Sequence, residues 1–395
     1  MEFGKQLLPL FPYDETYINL NHASVGMEPI HIGQKRIYYL NEINKNPEKW
    51  YRFHLFDEMK RNRQLVADFV GCKVNEVTFV MNATQAFQDV LAAVQWKEGD
   101  TILYTNIAYP AMRNQIKHLA KCQKLNAVEI VLTKEIVNDN AKILKAFEDA
   151  MIANKDKNLK ALAFDHISSV PSMLFPINDI VALCKKYNCF SICDGAQTPG
   201  HISINLHNYD VDYYISNMHK WSFTARPFAF IFIKESLQHE DIHPSIIGNY
   251  YGKGYVDEFN GKGTNDPSPF FTVQEALDFR KMLGEERIQS YSRNMAFRAG
   301  QIFAETWGTQ VLHSNKDMYV NLVNIEVPFI TTMADMSEIA KDLLFKENFW
   351  LTHFQFDGKI YVRISGYIFN EESDYIHCSA VALKYIKQYV EKQTS

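Results

Sequence analysis

Seven short apolar runs, separated by stretches of helical spacing, limit what this chain can fold into. They are Glu76–Val80, Thr101–Tyr104, Val128–Leu132, Lys160–Phe164, Phe190–Cys193, Tyr213–Ser216 and Phe228–Ile233. Runs of this length, bounded by turn residues, suit strands buried on both faces. Helical patterns such as Ala141–Lys155 and Asn178–Tyr187 lie between them. Strands that alternate with helices build crossover units, so an α/β fold around a mostly parallel sheet is predicted, with helices on its flanks. From Glu235 to Asp266 the pattern becomes irregular and rich in Tyr, Gly and His. Beyond it the spacing predicts a long helix from Thr272 across Gly284 to Thr306. Strands at Met318–Val327 and Lys359–Ile364 and a last helix from Glu371 to Lys392 follow. The expected organisation is an N-terminal segment (1–30), a large domain (31–284) and a smaller C-terminal α+β domain (285–395).

Composition narrows the class of function. A chain of 395 residues, 47% apolar and 22% charged, can bury a large core without disulfides or a structural metal. Its net charge of −5 argues against nucleic acid as the main partner. No apolar run is long enough to span a bilayer, and the N-terminus lacks the basic start of a secretion signal. The six cysteines have no zinc-type spacing and read as thiols of a reducing compartment. A cytoplasmic enzyme without a metal is the expectation.

Chemistry concentrates in two segments. In Cys193-Asp-Gly-Ala-Gln-Thr-Pro-Gly-His201 an aspartate directly follows an apolar run. That places its carboxylate at the carboxyl end of a strand, where α/β sheets bind ligands. In Ser216-Asn-Met-His-Lys-Trp221 a lysine follows the next run, 26 residues after Asp194 (220 − 194 = 26). One strand and its connection fill that interval, so Asp194 and Lys220 can face one crevice. By position alone Asp194 also suits a helix N-cap.

Together these segments resemble the class V aminotransferase family of pyridoxal-phosphate enzymes. Asn19-Leu-Asn-His-Ala-Ser-Val-Gly26 resembles the family's N-terminal strand and glycine turn. Met81-Asn-Ala-Thr-Gln-Ala86 resembles its phosphate loop, and Gly263-Thr-Asn-Asp266 its Gly-Thr-Arg-Asp motif. Tyr361-Val-Arg-Ile-Ser365 resembles its carboxylate-binding segment. The resemblance implies fold type I architecture and pyridoxal 5′-phosphate as cofactor. It also implies a homodimer in which Thr264 completes the partner's phosphate site.

The same resemblance implies roles residue by residue. Lys220 attaches the cofactor and then moves the proton at the substrate Cα, which needs an amine of lowered pKa. Asp194 pairs with the pyridine nitrogen and Gln197 donates to the phenolic oxygen. Tyr109 stacks on the ring and counts among the catalytic residues. Ala83, Thr84 and Gln85 open a helix whose N–H groups suit a phosphate, with Asn217 and His219 as further ligands. Arg363 binds the substrate carboxylate, a bidentate partner for a guanidinium in an apolar strand. Asn21, His166 and Ser168 line the substrate side.

The cofactor is clearer than the reaction. A cysteine desulfurase needs a loop thiolate near the carboxylate-binding arginine, and no cysteine lies between Cys193 and Cys378. Over much of its length the chain resembles the family's ergothioneine-pathway carbon–sulfur lyases, which cleave hercynylcysteine sulfoxide. The segments are Asn106-Ile-Ala-Tyr-Pro110, Ser168-Ser-Val-Pro-Ser-Met-Leu-Phe-Pro176, Cys184-Lys-Lys-Tyr-Asn188 and Arg363-Ile-Ser-Gly366. β-Elimination from a small cysteine conjugate or sulfoxide is the leading expectation. Epimerisation and decarboxylating or carbon–carbon chemistry are the alternatives. Two departures from the lyase pattern point to an altered substrate: Gln197 stands where a histidine is expected, and Asn265 where an arginine is expected. Trp50, Tyr51, Tyr250, Tyr251 and Tyr255 offer either cation–π contacts to a trimethylammonium group or ordinary packing.

Overall fold

All seven apolar runs enter one sheet. The structure, a computed structural model, describes residues 2–14, 16–239, 241–313, 315 and 318–394. Strands β1 (Val77–Val80), β2 (Thr101–Thr105), β3 (Asn126–Ile130) and β4 (Leu159–Asp165) precede β5 (Phe190–Asp194), β6 (Tyr213–Asn217) and β7 (Ala229–Ile233). Their order is β1-β7-β6-β5-β4-β2-β3, and β7 alone runs antiparallel to its neighbours. Helices cover both faces. The period of two sends Leu103, Leu162, Phe164 and Tyr214 into a core with Tyr39 of α1 (Ile30–Lys45), Val66 of α2 (Leu55–Val70), Phe147 of α5 (Asn140–Asn154) and Ile180 of α6 (Ile177–Lys186). It sends Ile102, Ala163, Ile192 and Ile215 to the other face. There they meet Phe87 of α3 (Ala83–Ala93) and Ile116 of α4 (Pro110–Gln123).

A second, antiparallel sheet has the order β8-β10-β9, from β8 (Leu322–Glu326), β9 (Thr352–Phe356) and β10 (Lys359–Ser365). Phe303 of α8 (Glu285–Trp307), Ile339 of α9 (Met333–Glu347) and Ile386 of α10 (Glu372–Thr394) share its core. The N-terminal residues pack here too. Ile18 bridges to Phe349, Ser365 N–H donates to the Leu20 carbonyl, and Leu20 is fully buried. Among the described residues no helix is long and apolar enough to cross a membrane.

Three local expectations need correction. The helix predicted across Gly284 is two helices, α7 (Val273–Leu283) and α8, because Gly284 turns the chain at φ +90. The run at Val128–Leu132 pairs two residues earlier, as Asn126–Ile130, because β3 is an edge strand whose partly exposed side chains blur the apolar signal. Strand β9 has no predicted counterpart, for its Thr-His-Phe-Gln-Phe sequence is not a continuous apolar run.

Candidate active site

The carboxyl ends of β4, β5 and β6 lie side by side and expose Asp165, Asp194 and Asn217. Directly after β6 the short helix Met218–Trp221 carries Lys220. These residues, with Thr84, Tyr109, Ser169, Gln197 and His219, enclose a cavity of about 170 Å³. The two residues that stood out in the sequence are thus brought into one crevice.

Burial sets the electrostatics. It lowers the Lys220 ammonium from 10.5 to about 8, against the attraction of Asp194 and with help from the Arg363 charge. Burial pushes Asp194 up to about 6, although its Oδ1 accepts the Ala196 N–H at 2.7 Å and Lys220 favours its ionised form. An amine that loses its proton near neutrality faces a carboxylate held at a strand end.

The lysine is held from behind. His22 Nε2 donates to the Lys220 carbonyl at 2.7 Å, which fixes the tautomer, and its ring stacks on Tyr367 at 3.5 Å. Burial holds that imidazole neutral, with its pKa at about 3. Gly26 passes so close that a Cβ there would lie 2.0 Å from the His219 carbonyl oxygen and 2.8 Å from Lys220 Cα. Gln197 is oriented by two bonds. Its Oε1 accepts the Trp221 indole N–H at 2.8 Å and its Nε2 donates to the Ala23 carbonyl at 3.1 Å. One N–H of Nε2 remains for a cavity ligand.

Helix α3 presents fewer donors than its sequence suggests. Asn217 Oδ1 accepts the Ala83 N–H and Asn82 Oδ1 accepts the Gln85 N–H, both at 2.9 Å. The Gln85 side chain folds back onto the Met81 N–H at 3.2 Å. Thr84 therefore carries the N–H and hydroxyl not committed to these caps, while Ala83 and Gln85 spend theirs on capping. His219 is pinned through Nδ1 to the Phe228 carbonyl at 2.7 Å, and burial takes its pKa down to about 4. The same Nδ1 lies 3.1 Å from the Phe228 backbone nitrogen, so both backbone groups of Phe228 hold the ring.

Arg363 lies in β10, 4% exposed. Its Nη1 donates to the Ser169 carbonyl and hydroxyl, each at 3.1 Å, and its Nη2 to Asn21 Oδ1 at 2.7 Å. No carboxylate pairs with it among the described residues, and burial lowers it to about 10. A buried guanidinium held by neutral acceptors has the chemistry to pair with a carboxylate. Tyr109, at the N-cap of α4, is 45% exposed and lines the cavity.

Two expected lining residues point away. His166 Nδ1 meets the Tyr214 hydroxyl at 2.8 Å, and Ser168 donates to the Pro171 carbonyl at 2.6 Å; both are buried. Asp165, Ile167 and Ser169 line the cavity instead. The alternation of an extended chain continues past β4, so odd-numbered residues face the site. Ser169 and Asp165 were missed because the phase of that loop is unreadable until the end of β4 is known. Thr264 does not line the lysine cavity. It lies with Tyr51, Tyr250 and Asn265 in a separate groove of about 610 Å³, where the Tyr51 hydroxyl donates to the Asn265 carbonyl at 3.2 Å. Trp50 and Tyr255 are buried, the latter bonded to the Ile231 carbonyl at 2.9 Å, whereas Tyr251 is exposed.

The residues present suit pyridoxal 5′-phosphate. A low-pKa amine, a carboxylate for a ring nitrogen, a donor from Gln197, an aromatic lid from Tyr109 and the Thr84 donors share one cavity. Among the described residues no group of side chains suits a metal ion. The family model for class V aminotransferases matches residues 19–342. The chain is 31% identical to hercynylcysteine sulfoxide lyase of Schizosaccharomyces pombe, over 96% of this chain and 97% of that one. It is 26% identical to L-cysteine desulfhydrase of Arabidopsis thaliana, over 80% and 73% of the two chains. The fold matches that of the apo cysteine desulfurase from Thermococcus onnurineus NA1 with a TM-score of 0.82, covering 98% and 99% of the chains at 18% identity.

Proposed function

The chain belongs to the class V aminotransferase family and uses pyridoxal 5′-phosphate, and from that premise we propose that it cleaves the carbon–sulfur bond of an L-cysteine conjugate by β-elimination. The observation that carries the reading is the make-up of the cavity. It holds a titrating amine and an unpaired guanidinium stands beside it, but no cysteine is among its lining residues. Without a protein thiolate to receive sulfur, the sulfur group leaves with its own substituent.

The cofactor supplies an electron sink for the pair released when a Cα bond breaks. Arg363, steadied by Asn21 and Ser169, grips the substrate carboxylate and so fixes the orientation of Cα. Lys220 would hold the cofactor through its neutral amine. The same neutral amine would serve as the general base for the proton at the substrate Cα. Asp194 would hold a proton at the pyridine nitrogen, and Gln197 and Tyr109 would hold the ring from the same cavity. Thr84 and His219 would hold the phosphate. The Cβ–S bond then breaks, the sulfur group departs with the electron pair, and water converts the released enamine to pyruvate and ammonia. For a sulfoxide the departing group is a sulfenate, so the protein need not supply a thiolate.

Hercynylcysteine sulfoxide is the proposed substrate, supported by the relationship to the S. pombe lyase over nearly the whole of both chains. The protein acts as a homodimer, and the groove that carries Thr264 faces the partner's phosphate. Support comes from the position of Thr264 outside its own subunit's lysine cavity. The deciding experiment measures pyruvate from hercynylcysteine sulfoxide beside simpler S-substituted cysteines and their sulfoxides. Rapid pyruvate from the hercynyl compound is expected. Pyruvate only from the simpler compounds keeps the chemistry and removes the substrate. Solvent deuterium at Cα with no pyruvate refutes elimination.

A further inference from the structure

Asp165 ends β4 as Asp194 ends β5, and the two are register partners in the parallel pair. Neighbouring strands lie about 4.8 Å apart and in-register side chains share a face, so both carboxyl groups enter the lysine cavity. Their surroundings differ. Asp194 accepts the Ala196 N–H and feels the Lys220 charge. Asp165 is 2% exposed, and its Oδ2 is buried without a hydrogen-bond partner. The charged and titratable groups acting around it are Asp194 and Cys193 on β5 and Arg113 on α4, and Arg113 makes no ion pair with it. Lys220 acts through Asp194. An ionised Asp165 can only accept, and it faces a second carboxylate where no donor reaches it. Burial and the Asp194 charge raise the Asp165 carboxyl well above the usual range.

We propose that Asp165 is a positioning residue for Asp194: it carries a proton on Oδ2 and donates a hydrogen bond to the Asp194 carboxylate, keeping that group ionised and aimed at the pyridine nitrogen. This rests on the assignment of Asp194 to that nitrogen. The proton stays on Asp165 throughout, so no bond is made or broken. The arrangement divides labour between two acids that cannot both ionise.

Wild type, Asp165→Asn, Asp165→Ala and Asp194→Ala provide the test. Asparagine keeps an N–H donor and has no proton to lose, whereas alanine keeps neither. Titration of apoprotein with pyridoxal 5′-phosphate is expected to show binding weakened on the order of tenfold in D165A and held within about twofold of wild type in D165N. The second readout is apoprotein thermal stability between about pH 5 and 8. Unfolded aspartate titrates near 3.8, so a buried Asp165 that keeps its proton makes wild type lose stability relative to D165N as pH rises. The Tm of D165N minus that of wild type should therefore climb across the window, with Lys220 and the buried histidines common to both proteins. A flat difference overturns the proposal, as does a D165N that binds cofactor as weakly as D165A. Unaltered binding in D194A overturns the Asp194 assignment itself. Weakened D194A beside unaltered D165A overturns the proposal alone.

Discussion

Cofactor capture by the apoprotein should follow a midpoint near pH 8 and not the 10.5 of an ordinary lysine. At pH 7.5 an amine of pKa about 8 is about one quarter neutral, whereas one of 10.5 is about 0.1% neutral, a gain of about 200-fold in reactive amine. Burial provides that shift, the Arg363 charge adds to it, and Asp194 opposes it. Two substitutions should therefore move the midpoint in opposite directions. Arg363→Met removes a repelling cation and raises it; Asp194→Asn removes an attracting anion and lowers it. Stopped-flow absorbance after mixing apoprotein with cofactor measures the rate. Dividing by the rate of a free lysine derivative cancels the cofactor's own titration. Stability offers a second check. Between pH 8 and 10.5 the unfolded lysine binds a proton that the folded one has shed, so the Lys220 contribution to apoprotein stability grows with pH there. A wild-type midpoint at or above about 10 would refute burial as the activating influence, as would equal shifts of one sign in both variants.

Three further outcomes test the scaffold. Gly26→Ala places a Cβ 2.0 Å from the His219 carbonyl oxygen at φ +67, ψ 179. It should cost about 1–3 kcal/mol in backbone strain alone and slow cofactor capture; an unchanged Tm and capture rate would free Lys220 from its contact with the N-terminal segment. Arg363→Ala should raise KM for amino-acid substrates far more than it lowers kcat, and an unchanged KM means that the carboxylate docks elsewhere. Lys262→Met leaves the fully buried Asp89 without its cation and should cost about 3–5 kcal/mol in thermal or denaturant unfolding. The double variant with Asp89→Leu should recover much of that loss, and equal destabilisation of both would show that the ion pair is not what the substitution breaks.

What could be read from the sequence follows the physics of each element. Central strands show as continuous apolar runs because helices cover both faces, and Asp194 and Lys220 then fall at strand ends in the order that the sheet uses. The edge strand β3 and the antiparallel β9 carry mixed burial, so their limits blur. In the loop after β4 the error is one of phase. The apolar run stops at Phe164, but the strand continues to Asp165, and the same alternation turns His166 and Ser168 inward to Tyr214 and Pro171.

Contacts made at long range were the least legible. Asn217 reaches Ala83 across 134 residues and caps helix α3 with its Oδ1 while it lines the lysine cavity, a double placement that no local pattern shows. Asn21, Ser169 and Arg363 come from the N-terminal segment, the loop after β4 and strand β10, and meet in one hydrogen-bonded group. Each alone reads as an ordinary polar residue. A guanidinium satisfied by two neutral partners still lacks a counter-charge, so the folding energy spent on burying it is recovered only when an anion binds. The His22 imidazole joins the same N-terminal segment to the Lys220 carbonyl. One stretch of chain thus holds both the Arg363 guanidinium, through Asn21, and the backbone that carries Lys220, through His22, so displacement of that stretch must move the two together.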